Sequence, residues 1–321
     1  MNLSILIINW KSAHYLRPCL ASVFRETQGI EFEVIVVDNA SYDGSAELIR
    51  TEFPQVTFIQ NDQNQGFAKA NNLGYRHSSG EILVFLNPDT EVIGNALPTM
   101  CSHLRSMPKA GALGCLLLNS DLSVQTSCVQ AFPTILSQML DGDYLRQLFP
   151  RWSIWGTKAL VDYGGNPVLV DAVSGACLMV ERTAFEAVGL FSEDYFMYTE
   201  DLELCYKIWK AGYSIYHIND AKVIHHGKGS AGMQEEKGFS TILQKQTLMH
   251  FFRQTRGSLY SKLYKVVLGC SAILRLMLVA LMLPIAFLMR DPTSLIRALK
   301  KWYKVFRWSI GLEVWAEKAG S

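Results

Sequence analysis

Short β-branched and apolar runs recur through the first third of the chain, at residues 4–9, 32–38, 56–60, 81–86 and 110–118, each too short for a helix of average length. Between them, apolar positions return at helical spacing over residues 15–25, 44–51, 67–76 and 96–107. This alternation predicts an α/β fold: a mostly parallel sheet flanked by helices on both faces, with its functional edge at the carboxyl ends of the strands. Asp38 and Asp89 both fall on that edge. Asp89 belongs to EILVFLNPDTE, where a buried apolar strand stops abruptly at Asn87 and Pro88. Asn-Pro is also an ordinary turn signal, so the tripeptide by itself leaves the role of Asp89 open.

Residues 119–170 lose this regularity. Pro133, Pro150, Trp152, Trp155, Gly164 and Gly165 mark loops and short elements suited to shaping a pocket. Order resumes with a strand at 176–180, a helix from about Arg182, a helix over 200–210 ended by Gly212, and strands at 214–218 and 222–226.

The last part of the chain differs in kind. Residues 266–289 are apolar except for Arg275, a stretch comparable to the roughly 20 residues that cross a bilayer. Arg275 sits near the middle, where charge is expensive, and Pro284 interrupts the run. Residues 291–294 supply helix-cap chemistry, Asp291 among them. From there Leu295, Ile296, Leu299, Trp302, Phe306 and Ile310 recur at helical spacing, interleaved with Arg297, Lys300, Lys301, Lys304 and Arg307. The pattern predicts a basic amphipathic helix lying in a membrane surface with its tryptophans at the interface. In-plane or re-entrant anchoring ranks ahead of a true span, and a true span ahead of burial in a protein core or a homo-oligomer interface. The expected organisation is a catalytic domain over residues 1–232 and a membrane-associating helical region over 233–321.

Charge sharpens this division. The net charge is +1, yet residues 253–308 carry eleven basic side chains against one acidic, or +10, leaving −9 for the remainder. An acidic body with a basic tail expects an anionic partner. A membrane surface fits, whereas no nucleic-acid partner is expected, since nothing resembles a recognised nucleic-acid module. With 321 residues, 49% of them hydrophobic, the chain can bury a sizeable core. Its seven cysteines include no CxxC pair and give neither a disulfide framework nor a zinc motif. A reducing, cytoplasmic setting is expected, and MNLSILIINW enters a strand directly without the regions of a cleaved export signal.

Two nucleotide folds are set aside by their missing glycines. The turn after the first strand reads Asn9, Trp10, Lys11, Ser12, Ala13, with no glycines to admit a dinucleotide pyrophosphate, and no GxxxxGK[ST] loop exists. Five other runs, in order, are informative: VIVVDNASYDGS (34–45), NQGFAKANN (64–72), FLNPDTE (85–91), FMYTEDLELCYKIWKAGY (196–213) and VIHHGKGS (223–230). Together they resemble the inverting family 2 glycosyltransferases of GT-A fold, and more narrowly the bacterial rhamnosyltransferase-like members that build cell-surface polysaccharides. The resemblance covers about residues 4–230.

Each motif carries an implied role and a plainer one. By resemblance Asp38 accepts a hydrogen bond from the imide of a uracil or thymine; the alternative is a cap for the following helix. Asn9, Asn64, Gly66, Lys69 and Asn71 are implied at the ribose and diphosphate, although Asn64 and Gly66 also read as an Asn-initiated turn. Asp89 matches the family's metal-binding DxD aspartate, with Asn87 standing where the first aspartate would be, so the site has one charge fewer. Hard carboxylate oxygen suits Mg²⁺ or Mn²⁺. His225 is the implied helper at the metal or diphosphate, against a structural histidine; His226 would point away. Asp201 is implied as general base, with Glu200 orienting the acceptor or the helix start; acidic residues also simply favour a helix N-terminus. Ser174 and Gly175 match a segment near the sugar.

The implied partners are a nucleoside-diphosphate sugar, dTDP-L-rhamnose or a UDP-sugar, and a lipid-linked saccharide acceptor. The implied location is the cytoplasmic face of the inner membrane, peripheral or monotopic. Two alternatives stand beside this reading: a polyprenyl-phosphate sugar synthase of the same fold, and a non-catalytic membrane-bound saccharide-binding protein.

Overall fold

The computed structural model describes residues 2–140, 148–149, 151–160, 167–227, 237–288, 292–313 and 315. Pro150, Gly164, Gly165, Asp291 and the 228–230 end of VIHHGKGS lie outside them. Strand β1 (Leu3–Asn9) is buried along its whole length, as a central strand covered on both faces must be. There follow α1 (Ala13–Glu26), β2 (Phe32–Asp38), α2 (Ser45–Glu52), β3 (Thr57–Gln60), α3 (Gly66–Arg76), β4 (Ile82–Leu86), β5 (Thr90–Ile93), α4 (Ala96–Ser106) and β6 (Ala110–Leu118). The second half adds β7 (Val129–Gln130), α5 (Ile135–Met139), β8 (Val168–Leu169), β9 (Ala172–Val173), β10 (Cys177–Glu181), α6 (Arg182–Ala187), α7 (Glu200–Lys210) and β11 (Ser214–His225). Helices α8 (Lys237–Arg256), α9 (Ser258–Leu288) and α10 (Thr293–Ser309) complete it.

The chain forms two compact units: Met1–Phe132, Arg146–Glu193 and Glu200–Gly232 make the first, and Pro133–Leu145, Asp194–Thr199 and Met233–Ser321 the second. The first is built on a sheet of order β3-β2-β1-β4-β10-β6-β11-β5, with β8 also paired to β11. Strands β1 to β4 are parallel, as the alternating pattern predicts. Beyond β4 the sheet is mixed, because β10 is antiparallel to both neighbours. Inserting one reversed strand restores the direction of the next, so β6 and its parallel partner β11 run the same way as β1 and β4. The two strands expected at 214–218 and 222–226 are one, β11, with a register shift between Ile218 and Lys222.

This topology positions the site. Asn9, Asp38, Leu86 and His225 end their strands at one edge, while β10 and β5, running backwards, begin there. Residues 174–176 therefore reach the same edge as Asp89, although almost ninety positions apart in sequence. Helix packing fixes it: Leu3, Ile5 and Ile7 join Leu16, Leu20 and Val23 of α1 in the core. On the opposite face Gly74 of α3 lies so close that an added Cβ would stand 2.9 Å from Leu6.

The second unit is helical, and packing within it takes up part of the tail's apolar surface. Val305 and Trp308 of α10 are buried, and Trp308 Nε1 donates to Gln246 Oε1 of α8 at 2.9 Å. Packing within the unit takes up Val305 and Trp308, whereas Leu295, Ile296, Leu299, Trp302 and Phe306 of the expected apolar face are half-buried and Ile310 is exposed. An added Cβ on Gly269 of α9 would meet Ser309 Oγ at 2.6 Å. The helices thus touch where both residues are small. The charge of Arg275 is also accommodated: its guanidinium stacks 4.2 Å over Trp302 and donates to the Met139 carbonyl at 2.8 Å. What stays exposed on α9 is an apolar stripe, including Leu259, Leu263, Val266, Ile273, Leu274 and Met277. On α10 the exposed positions are chiefly Arg297, Lys300, Lys301 and Lys304.

Candidate active site

Three side-chain groups gather at this sheet edge. The first surrounds Asp38, which is fully buried. The parallel register sets Asn9 beside Asp38 and Asp38 beside Gln60. Asp38 Oδ1 accepts from Asn9 Nδ2 at 2.7 Å and Ser45 Oγ at 3.2 Å; Oδ2 accepts from Ser41 N–H at 2.9 Å and Gln60 Nε2 at 2.7 Å. Four donors match the capacity of one carboxylate. As it stands, Asp38 organises the loop over residues 39–45, and an imide contact requires Gln60 or another donor to give way. Asp43, quoted in the motif but given no role from sequence, accepts from Ala13 N–H at 2.9 Å at the start of α1. Burial alone would raise its carboxyl, but hydrogen bonds from Ala13, Ser45 and Asn9 outweigh burial and hold it below its ordinary value.

Around α3 the plainer readings gain ground. Asn64 Oδ1 accepts from Gly66 N–H at 2.9 Å, forming the Asn-initiated turn, and Gly66 has φ +81°, where an L side chain is strained. Lys69 is exposed. Asn71 is fully buried, with Nδ2 donating to the Phe67 carbonyl at 3.0 Å and Oδ1 without a hydrogen-bond partner among the described residues. Its neighbour Asn72, given no role from sequence, ties α3 to Phe191 through both backbone groups at 3.0 and 3.1 Å.

The second group is Asn87, Asp89 and His225. Asp89 is 4% exposed. His225 Nε2 stands 3.4 Å from Asp89 Oδ1 and 3.4 Å from Asn87 Nδ2. Gln125, from the irregular segment after β6, lies against the other side of the ring, with Oε1 3.0 Å from Nδ1. His226 does turn elsewhere, contacting Glu91 and Ser120 at 2.8 Å each and stacking on Tyr15. Among the described residues no cluster of three or more His, Cys, Asp or Glu could hold a metal. One carboxylate and one imidazole suit Mn²⁺ better than Mg²⁺, and a cation there would need further oxygen ligands from outside the chain.

The third group opens α7. Asp201 Oδ2 accepts from Gly175 N–H and Oδ1 from Leu202 N–H, each at 2.8 Å, so both oxygens are fixed by backbone. An added Cβ on Gly175 would lie 3.1 Å from Asp201 Cβ. Gly175 thus backs Asp201, and Ser174 shapes the turn by accepting from Ala176 N–H at 3.2 Å. Glu200 is 7% exposed, and its Oε2 has no hydrogen-bond partner among the described residues. Burial, reinforced by the Asp201 charge, pushes the Glu200 carboxyl up to about 8. Burial raises Asp201 too, but its two N–H donors oppose the shift. Burial and the neighbouring charge thus favour the protonated form of Glu200, while the two backbone donors favour the ionised form of Asp201. Tyr198 and Thr199 immediately before them have φ +70° and +73°, a strained entry of ~1–3 kcal/mol per residue.

Residues 4–189 match the glycosyl transferase family 2 profile. The chain is 30% identical over 243 residues to the N-acetylglucosaminyl-diphospho-decaprenol L-rhamnosyltransferase of Mycobacterium tuberculosis, covering 72% of this chain and 78% of that protein. It is 24% identical over 232 residues to the rhamnosyltransferase WbbL of Escherichia coli, covering 69% and 82%. Among solved structures, the mannosyltransferase PcManGT of Pyrobaculum calidifontis, in complex with GDP-Man and Mn²⁺, aligns with a TM-score of 0.62 at 18% identity, covering 97% of this chain and 86% of that one. This last likeness is one of fold.

Proposed function

Because the chain belongs to glycosyl transferase family 2, we propose that it moves L-rhamnose from a nucleoside-diphosphate donor to a hydroxyl of a lipid-linked saccharide by one inverting displacement. The carrying observation is the carboxyl pair at the start of α7: Asp201 is fixed by Gly175 and Leu202 N–H, and Glu200 is buried beside it with Oε2 lacking a hydrogen-bond partner among the described residues. Asp201 takes the proton of the acceptor hydroxyl as that oxygen attacks the anomeric carbon. Glu200, still carrying its proton, donates a hydrogen bond toward the acceptor. Asp89 and His225, with Asn87 beside them, would hold a divalent ion on the diphosphate side. Bound Mg²⁺ or Mn²⁺ supplies positive charge to the departing nucleoside diphosphate. Asn9 and Asp38 organise the loop that frames the base, and the Asn64–Gly66 turn brings backbone, with Lys69 on the following helix, toward the ribose and diphosphate. The sugar and the lipid-linked acceptor are drawn from the rhamnosyltransferase relatives.

The proposal includes attachment to the cytoplasmic membrane surface through the second unit, without a span. Helix α9 is long and apolar enough to cross a bilayer by composition. The contacts Gly269 with Ser309 and Arg275 with Trp302 set α10 antiparallel along it. That register puts Lys300, Lys301 and Lys304 alongside the middle of the apolar run. A span would draw three lysines into hydrocarbon at roughly 2.5–3.5 kcal/mol each. Lying in the surface, α9 inserts its apolar stripe while the lysines meet anionic headgroups.

The test is product formation with a panel of nucleoside-diphosphate sugars and membrane extract, with and without Mn²⁺ or Mg²⁺. The wild type should turn over dTDP-L-rhamnose. Asp89→Ala and Asp201→Asn should each lose about 10²–10⁴-fold in turnover. A wild type that consumes no donor refutes the reading, and full activity in Asp201→Asn transfers it to a lipid-phosphate acceptor, which needs no base.

A further inference from the structure

Gln125 grips His225 at two points. Its Nε2 donates to the His225 carbonyl at 2.6 Å while its Oε1 lies 3.0 Å from His225 Nδ1. An amide whose nitrogen is committed to a carbonyl presents only oxygen on its other side, and that oxygen can only accept. His225 Nδ1 must then carry the ring proton. In a neutral imidazole this leaves the lone pair on Nε2, the atom 3.4 Å from Asp89 Oδ1. That lone pair faces both Asn87 Nδ2 and Asp89 Oδ1 at 3.4 Å, and a cation shared with Asp89 would relieve its repulsion with the carboxylate. The Gln125 backbone is itself anchored, its N–H donating to the Leu117 carbonyl at 2.9 Å. The turn leading into it is closed by Asn119 N–H to the Ser123 carbonyl at 2.8 Å.

We propose that Gln125 is a positioning residue that locks His225 in the Nδ1–H tautomer and aims its Nε2 at the divalent cation shared with Asp89. This rests on the assignment of Asp89 and His225 as the metal pair. Second-sphere partners of this kind change metal affinity about 10–100-fold when removed. No role for Gln125 follows from motif or spacing, because it lies in the irregular segment between recognisable elements.

Two measurements on the full chain test the proposal. Ring ¹⁵N chemical shifts of His225 in the wild type should report a protonated Nδ1 and an unprotonated Nε2; the opposite tautomer overturns it. Mn²⁺ binding, followed by electron paramagnetic resonance in the presence of thymidine diphosphate, should weaken about 10–100-fold in Gln125→Leu. Gln125→Glu keeps an acceptor facing Nδ1–H but sets a second oxygen against the His225 carbonyl, so it should keep the Nδ1–H ring ¹⁵N pattern and lose less Mn²⁺ affinity than Gln125→Leu. Unchanged Mn²⁺ affinity in folded Gln125→Leu overturns the proposal while leaving the metal pair intact. Equal weakening in both variants overturns the tautomer lock. Failure of the wild type to bind Mn²⁺ overturns the metal pair and the proposal together.

Discussion

Replacing Glu200 by Gln removes a buried titratable group while keeping its shape, and its consequence for stability is calculable. In the folded protein the Glu200 carboxyl is pushed from 4.5 to about 8 by burial and by the neighbouring Asp201 charge. Between those values the folded state holds a proton that the unfolded state has released. Wild-type stability therefore falls as pH rises from about 4.5 to about 8 and levels beyond. At ~1.4 kcal/mol per pH unit, the full window corresponds to ~5 kcal/mol, an upper bound because a buried site relaxes when it ionises. Glu200→Gln lacks this loss. Urea unfolding of wild type and variant should give similar stabilities near pH 4.5 and a growing advantage for the variant toward pH 8. Parallel pH–stability profiles would refute both the protonated state of Glu200 and the division of roles built on it.

Turnover should rise with pH as Asp201 ionises, with the rise beginning above the ordinary aspartate range because burial raises its carboxyl; a pH–rate profile with no such limb removes Asp201 as base. Gly175→Ala places a Cβ 3.1 Å from Asp201 Cβ, so the base must shift by a few tenths of an ångström, and turnover should fall roughly tenfold with donor KM almost unchanged. Lys300→Glu, Lys301→Glu and Lys304→Glu combined should weaken co-sedimentation with vesicles containing phosphatidylserine on the order of 100-fold, at ~1 kcal/mol per lysine lost. Retention at wild-type levels would show that the basic stripe does not face the lipid.

Much of the first unit is legible in the chain because local pattern and global fold agree there. The runs at 4–9, 32–38 and 81–86 become β1, β2 and β4 within a residue or two, and the 200–210 helix starts at Glu200 as its acidic first turn implies. Strand β10 was expected near 176–180, but nothing local encodes that it runs backwards between β4 and β6. The roles of Gly175 and Gln125 are equally hidden. Each acts through a contact to a residue more than twenty positions away, at 2.8 Å for Gly175 and 2.6 Å for Gln125. The tail shows the limit of periodicity. Helical spacing identifies the apolar positions of α10, but only packing shows that Val305 and Trp308 are the ones buried within the unit, with Trp308 meeting Gln246 of α8.

The sequence by itself determined the alternation of elements, the family and the residue types of the site, because these depend on propensity, period and motif read within short windows. Tertiary structure alone decided which distant residues meet. One reversed strand aligns the ends of β4 and β11, and so sets Asp89 beside His225. The same strand brings Gly175 under Asp201, and donors from three elements fill Asp38. Those contacts follow from strand order and register, which are set by long-range pairing that no local window contains.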